Sequence, residues 1–211
     1  NTHSGFEYER KFNNLPFLKN NFFTFGSFNN FRKISDETIN AWSQILNKVP
    51  NSKLILKSST FADKISLINK FKLKGVLNNI EIYDKLNFQN KEDHLNLYSK
   101  IDLCLDTFPY NGVTTSFEAL WANIPVLVLK GFNFNSRCGE SIIINSGFDF
   151  LISNDVNDYI SKAVYLSNNI NVIEDLRKRI FETISTTPLF NSKNFSENFG
   201  NALINLYENM N

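Results

Sequence analysis

The chain has 211 residues, which suits one substantial domain core or two small ones, and a single domain is expected. Its 22 Lys and Arg residues against 21 Asp and Glu residues leave a formal net charge of +1, which argues against a broad basic face for nucleic acid or anionic lipid. A hydrophobic content of 42%, with 21 Phe, excludes disorder throughout. No stretch approaches the ~20 apolar residues of a membrane span, so none is expected.

Two cysteines, Cys104 and Cys138, are too few for a disulfide framework. Cys104 lies in the apolar run Ile101–Leu105, where a small buried thiol is expected, and this cysteine usage fits a reducing, cytoplasmic location. The chain begins at Asn1 without an initiator Met or a signal-peptide pattern, and residues 1–21 are polar and weakly periodic. We therefore expect residues 1–21 to be a connector from an upstream part of a longer protein.

Predicted strands and helices alternate from residue 22 onward. Phe22–Phe25 is an apolar run typical of a strand, and Ser35 precedes an amphipathic helix that carries Trp42. A second helix passes through Phe71 and ends at Gly75. Further strands are predicted at Leu54–Leu56, Ile80–Tyr83, Ile101–Leu105 and Pro125–Leu129, and further helices at about residues 91–100 and 114–122.

Strands separated by helices of about ten residues are typical of a parallel, Rossmann-like α/β sheet with helices on both faces. The apolar strands agree, since a central parallel strand is covered on both sides. From Ser136 onward the pattern is mostly helical, with helices expected at about residues 137–146, 155–167, 170–184 and 195–208. We therefore predict one Rossmann-like lobe over residues 22–211, including a helical C-terminal tail.

The loop after Leu105 carries the pattern of an anion site. Ligands of open α/β sheets bind beyond the carboxyl ends of the strands. Gly112 permits a tight turn close to a ligand, and Thr114 and Thr115 follow where a helix start presents unpaired N–H groups. A phosphate or diphosphate would fit there, and Glu118, one turn further on the same face, could bind a ribose. Alternatively, the threonines only cap the helix and Glu118 is a solvated first-turn acid.

Two further sites are predicted at neighbouring loops. Lys33 follows the first strand by a short loop, so its ammonium could neutralise charge on a leaving phosphate, although it could equally be an ordinary surface lysine. Lys91 and His94 lie one helical turn apart and could hold a planar base between them. The alternative for this pair is a solvent-facing helix with an incidental histidine.

The sequence lacks the usual motifs of metal sites and of Ser-His-Asp hydrolases. With only His3 and His94 in the chain, a histidine-based zinc site is hard to assemble, and no two aspartates are separated by a single residue. A G-x-S-x-G nucleophile elbow does not occur either. We therefore expect no metal and no cofactor.

Several motifs taken together resemble the O-GlcNAc transferase/SPINDLY family of glycosyltransferases. They match in order and spacing from about residue 22 to the end, so the set is far more specific than any one piece. The motifs are Phe25–Ile34, His94–Tyr98, Leu105–Gly112, Thr114-Thr115, Glu118–Trp121, Ser136-Arg137 before a helix, and Pro188–Phe190 before the final helix.

The resemblance implies a GT-B enzyme of two Rossmann-like lobes, of which this chain is the C-terminal, donor-binding lobe. The family is metal-independent and inverting, and it transfers a sugar from a nucleotide diphosphate to Ser or Thr hydroxyls of proteins. UDP-GlcNAc is the expected donor. The expected partners are a protein or peptide acceptor and the N-terminal lobe of the full-length protein, usually with tetratricopeptide repeats upstream.

The resemblance also implies roles for individual residues. Lys33 would stabilise the leaving diphosphate as the catalytic residue, Thr114 and Thr115 would hold the phosphates, and Glu118 would bind the ribose. Further donor-binding positions carried over from the family are Asn30 at the phosphate end, Gln89 reading the base edge by its backbone, Lys91 and His94 around the base, and Gly112 and Val113 in the turn.

Two positions depart from the family pattern. Val113 stands where animal enzymes have His and many bacterial ones Thr, and Leu97 where the animal enzymes have an Arg near the base. The donor is therefore open between UDP-GlcNAc and GDP-fucose, which SPINDLY relatives use. The alternatives to a protein Ser/Thr glycosyltransferase are a non-catalytic Rossmann-like interaction module and an enzyme that glycosylates Asn side chains or small molecules.

Overall fold

A single parallel sheet forms the centre of the molecule. The computed structural model describes residues 10–84 and 91–210, and for residues 91 and 92 the backbone alone. Across this part of the chain the strands are β1 (Phe23–Ser27), β2 (Ser52–Lys57), β3 (Ile80–Tyr83), β4 (Leu103–Leu105), β5 (Val126–Leu129) and β6 (Ile152–Ser153). Their order in the sheet is β3-β2-β1-β4-β5-β6, and every neighbouring pair is parallel.

Helices connect and follow the strands, and their starts are set by local capping. Ser35 accepts a hydrogen bond from the Thr38 backbone N–H at 3.0 Å and so begins α2. Thr60 opens α3 with a reciprocal capping box. The helices are α1 (Pro16–Asn20), α2 (Asp36–Lys48), α3 (Phe61–Leu73), α4 (Lys91–Asn96), α5 (Thr114–Trp121), α6 (Phe134–Ser146), α7 (Val156–Asn168), α8 (Ile170–Thr183) and α9 (Ser192–Asn209).

The strand order reverses between β1 and β4. Because parallel crossovers are right-handed, α2 and α3 cover one face of the sheet while α5 and α6 cover the other. At the centre, Phe25 of β1 pairs with Leu54 of β2 and Leu103 of β4, and all three side chains are fully buried. The loops that follow β1 and β4 therefore meet at the topological switch point, where α/β sheets bind ligands.

The segment before β1 packs against the lobe. Leu15 belongs to the hydrophobic core, and the Arg10 guanidinium donates to the backbone carbonyls of Trp121 at 3.2 Å and Phe181 at 2.9 Å. The buried Arg177 of α8 donates to the carbonyl of Asn13 at 3.2 Å. Residues 10–20 are thus held by α5 and α8 as well as by the sheet.

The predicted α/β fold is confirmed, with several local differences: α1 was not predicted, and β4 begins at Leu103 rather than Ile101. β1 continues through Gly26 and Ser27, and the absence of a side chain on Gly26 leaves room for Ile101, which a Cβ there would meet at 2.6 Å. The helix predicted over 91–100 ends at Asn96 and is followed by a short 3-10 helix. Strand β6 was not predicted, because two residues are too few to show an alternating pattern.

Candidate functional site

Asp106 organises the loops after β1 and β4. Its side chain is buried, and one carboxylate oxygen, Oδ1, accepts hydrogen bonds from the backbone N–H of Gly112 at 2.7 Å and of Thr107 at 2.9 Å. The same oxygen accepts from the side-chain amide of Asn29 at 2.8 Å. One buried carboxylate therefore joins the β1 loop to the turn that precedes α5.

Gly112 is required at this turn for steric reasons. A Cβ atom there would lie 2.5 Å from the Thr115 hydroxyl and 2.6 Å from the Asn29 side-chain oxygen. Those two side chains are hydrogen-bonded to each other, with the Thr115 hydroxyl as donor. The Thr115 side chain is therefore used to tie α5 to the β1 loop.

The start of α5 is open to an anion. Val113 occupies the N-cap position and no side chain caps the helix, so the interpretation of Thr114 and Thr115 as simple capping residues is wrong. Val113 and Thr114 are exposed. First-turn amide groups and the positive end of the helix dipole are therefore available on this side of the molecule.

Lys33 lies against the same turn. Its ammonium donates to the Asn111 carbonyl at 2.8 Å and sits 4.1 Å from the centre of the Tyr110 ring. Burial lowers the pKa of Lys33, and the negative charge of Asp106 opposes that shift. The structure thus places a half-buried cation against the turn that leads into the uncapped start of α5.

Asn111 fixes the carbonyl that Lys33 contacts. Its side chain is fully buried, donates to the Thr107 carbonyl at 2.9 Å and accepts from the Gly139 backbone N–H at 3.1 Å. The turn is therefore held by α6 as well as by Asp106.

Glu118 is buried at the nucleoside end of the predicted site. One of its oxygens accepts from the Tyr98 hydroxyl at 3.0 Å and lies 3.1 Å from Nε2 of His94. Burial raises the pKa of Glu118, but the hydrogen bonds from His94 and Tyr98 and the nearby Lys57 outweigh it, so its pKa lies below the ordinary value. Glu118 is 8% exposed, so the interpretation as a solvated acid is wrong.

Sequence reasoning missed Lys57. This residue ends β2, and its ammonium lies 3.2 Å from Nδ1 of His94. The available signal was a basic residue at the carboxyl end of an apolar strand.

The remaining predicted residues are Asn30, Lys91 and Gln89. Asn30 is exposed, and its side-chain oxygen accepts from the Arg32 backbone N–H at 3.0 Å, which caps the short 3-10 helix Phe31–Lys33. Lys91 begins α4, one turn before His94, and Gln89 lies outside the described residues.

One cavity lies beside the site residues and a larger one lies away from them. One of about 420 Å³ lies beside the start of α5 and is lined by Val113, Phe134, Arg137, Cys138, Ser141 and Ile142. A larger one of about 580 Å³ lies between α1 and strands β1 to β3, and no predicted site residue lines it. We therefore regard the smaller cavity as the one that belongs to the site.

The described part of the chain offers neither a metal site nor a membrane-spanning helix. No group of three His, Cys, Asp or Glu side chains in residues 10–84 and 91–210 could hold a metal ion. No helix in those ranges is both long and apolar enough to cross a membrane.

The fold and the site define the C-terminal lobe of a GT-B glycosyltransferase, with a Rossmann-like sheet and the site at its switch point. The family model named glycosyl transferase family 41 matches residues 10–199. The chain belongs to that family.

Curated relatives match most of this chain. The protein from Hordeum vulgare named probable UDP-N-acetylglucosamine–peptide N-acetylglucosaminyltransferase SPINDLY is 31% identical, over 89% of this chain and 20% of its own length. The protein of the same name from Eustoma exaltatum is 33% identical, over 85% of this chain and 20% of its own length. The chain thus spans about a fifth of these relatives.

Solved structures show the same fold. A mutant of the Thermobaculum terrenum O-GlcNAc transferase superposes with a TM-score of 0.78 at 29% identity, over 90% of this chain and 36% of that one. The C-terminal domain of a glycosyl transferase group 1 protein from Francisella tularensis gives a TM-score of 0.60 at 17% identity, over 81% of this chain and 90% of that domain. This second likeness concerns the fold alone.

Proposed function

We propose that the chain is the donor-binding lobe, over residues 22–211, of a metal-independent, inverting glycosyltransferase that moves N-acetylglucosamine from UDP-GlcNAc to Ser or Thr hydroxyls of proteins. The observation that carries the proposal is the half-buried ammonium of Lys33 beside the uncapped start of α5. The names of the matched relatives, which give this donor and a peptide acceptor, support it.

The chemistry follows from where charge develops. The acceptor oxygen forms a bond to the anomeric carbon as the bond from that carbon to the diphosphate breaks, and the electron pair leaves on the diphosphate. Lys33 and the amides of Thr114 and Thr115 stabilise this charge without a metal. The proton of the acceptor hydroxyl passes to a base supplied by the N-terminal lobe.

The nucleoside is held at the other end of the site. Glu118 accepts hydrogen bonds from the ribose hydroxyls. His94 and Lys91 hold the base between them, and the role of Gln89 is to read the base edge through its backbone. Asn30, Gly112 and Val113 line the phosphate end. Because the acceptor-side lobe must close over the sugar, the chain by itself binds the donor but turns it over poorly or not at all. We propose a cytoplasmic location for the full-length protein.

Calorimetry with UDP and GDP tests the proposal. The chain is expected to bind UDP, and Lys33→Met to weaken binding about tenfold or more, since a charge-assisted hydrogen bond contributes roughly 1.5–3 kcal/mol. Lys53→Met is the matched control, because Lys53 is exposed and lines the other cavity. Binding of neither nucleotide at millimolar concentration would overturn the proposal in favour of a non-catalytic module.

A second candidate is a GDP-fucose-dependent protein O-fucosyltransferase. Leu97 leaves this candidate open, because it stands where the animal enzymes of the resembling family have an Arg near the base and so does not select uracil over guanine. Stronger binding of GDP than of UDP in the same experiment would select this candidate.

A further inference from the structure

A row of polar side chains crosses from the end of β2 to α5. The Lys57 ammonium lies 3.2 Å from Nδ1 of His94, and Nε2 of the same ring lies 3.1 Å from the Glu118 carboxylate. All three side chains are at least partly buried. The imidazole is therefore contacted through both of its nitrogens by groups of opposite charge.

The chemistry of these groups determines the direction of each hydrogen bond. A lysine ammonium has three donors and no acceptor, so Nδ1 of His94 must be the acceptor. A neutral imidazole then carries its one proton on Nε2 and donates it to Glu118, which accepts only. The Tyr98 hydroxyl donates to the same carboxylate oxygen. The arrangement is satisfied by one histidine tautomer.

Aromatic packing adds to this restraint. The Phe28 ring meets the His94 ring edge to face, with centroids 6.3 Å apart, and the Tyr98 ring does so at 5.7 Å. The plane of the imidazole is thus set by polar contacts at its two nitrogens and by aromatic rings at its sides.

We propose that Lys57 is a positioning residue that holds His94 in its Nε2–H tautomer and thereby sets the imidazole plane and the Glu118 carboxylate for the nucleoside of the donor. The nucleoside part of this inference rests on the proposed function, whereas the tautomer does not. Without Lys57, Nδ1 loses its donor and the ring can turn about its bond to the chain. The effect is expected at the nucleoside end and not at the diphosphate.

Nitrogen NMR of the histidines tests the tautomer without any ligand. The chain has two histidines, so His3→Gln identifies the signals of His94. At pH 8, where a free imidazole is neutral, wild type is expected to carry the proton on Nε2, with Nδ1 showing the shift of a hydrogen-bond acceptor. That acceptor shift is expected to be lost in Lys57→Met and kept in Lys57→Arg. A proton on Nδ1 in wild type would overturn the inference.

Calorimetry with UDP and with inorganic pyrophosphate tests the consequence. Lys57→Met is expected to weaken UDP binding about tenfold while leaving pyrophosphate binding unchanged, and Lys57→Arg to restore UDP binding. Pyrophosphate binding also shows that the variant is folded. Equal losses for both ligands, or no loss for UDP, would overturn the positioning role. If wild type binds neither ligand, the proposed function fails, and the NMR result still decides the tautomer.

Discussion

Asp106 shows how one buried residue can determine the geometry of an exposed site. Burial raises its pKa to about 6, although hydrogen bonds from Gly112, Asn29 and Thr107 and the nearby cation of Lys33 lower it. Its second oxygen, Oδ2, is buried and has no hydrogen-bond partner among the described residues. The carboxylate thus organises the turn at a cost in stability near neutral pH.

The raised pKa of Asp106 predicts that the free energy of unfolding depends on pH. Because the pKa of Asp106 is higher in the folded state than in the unfolded one, its contribution to stability is fully present below pH 4 and is lost as pH rises through 6. Asp106→Asn removes the charge, so the free energy of unfolding of the variant relative to wild type should rise by about 1–2 kcal/mol between pH 5 and pH 7.5.

Urea unfolding at the two pH values measures this difference. Lys33→Met serves as the control for the opposing charge, since Lys33 acts on the same carboxylate. A relative stability of Asp106→Asn that is constant with pH would contradict the assignment of a raised pKa to Asp106.

At the scale of elements, the start of α2 braces the loop that follows β4. The Thr38 hydroxyl donates to the Phe108 carbonyl at 2.6 Å and accepts from the Phe108 backbone N–H at 3.2 Å. Ser35 donates to the same carbonyl at 2.7 Å. The buried backbone N–H and C=O of Phe108 have no backbone partner among the described residues, so the hydroxyls of Ser35 and Thr38 supply their hydrogen bonds.

Thr38→Val should destabilise the chain by about 1–3 kcal/mol, because it leaves the buried N–H of Phe108 without a partner while keeping the side-chain volume. Thr38→Ser keeps the hydroxyl and should cost about 1 kcal/mol for the lost methyl. Urea midpoints of the two variants measure the difference. If the Val variant were as stable as the Ser variant, the hydroxyl would have no bracing role.

The sequence predicted the elements that are long or strongly patterned. The apolar strands around Phe25 and Leu103 and the capped helix after Ser35 follow from local patterns and were confirmed. Contacts between distant residues could not be read in this way. Two examples are the contact of Lys57 with His94 and the hydrogen bond from the Thr115 hydroxyl to Asn29. Both depend on the order of β1, β2 and β4 in the sheet, which no local pattern encodes.

At the scale of the molecule, α9 differs from the other long helices because none of its residues is buried. Phe195 and Phe199 stack on each other at 5.9 Å on its surface, and Leu203 and Leu206 are more than half exposed. This helix therefore removes little apolar area from water in the isolated chain.

Removal of residues 192–211 should accordingly change the melting temperature by no more than about 2 °C, a shift corresponding to about 0.5–1 kcal/mol for a chain of this size. Ile173→Ala in α8 is the control, since Ile173 is fully buried and its truncation should cost about 2–5 kcal/mol. Thermal unfolding followed by circular dichroism compares the two. A truncation as damaging as the control would show that α9 contributes to the core.

The bracing of the turn at Gly112 has a thermodynamic consequence. The turn is restrained by Asp106 from β4, by Asn111 through α6 and, through the Tyr159 hydroxyl on the Asp106 carbonyl at 2.9 Å, by α7. Groups already held in one conformation lose little entropy when a ligand arrives. Association of a diphosphate with this turn is therefore expected to carry a small ordering penalty, so that most of its interaction energy appears as affinity.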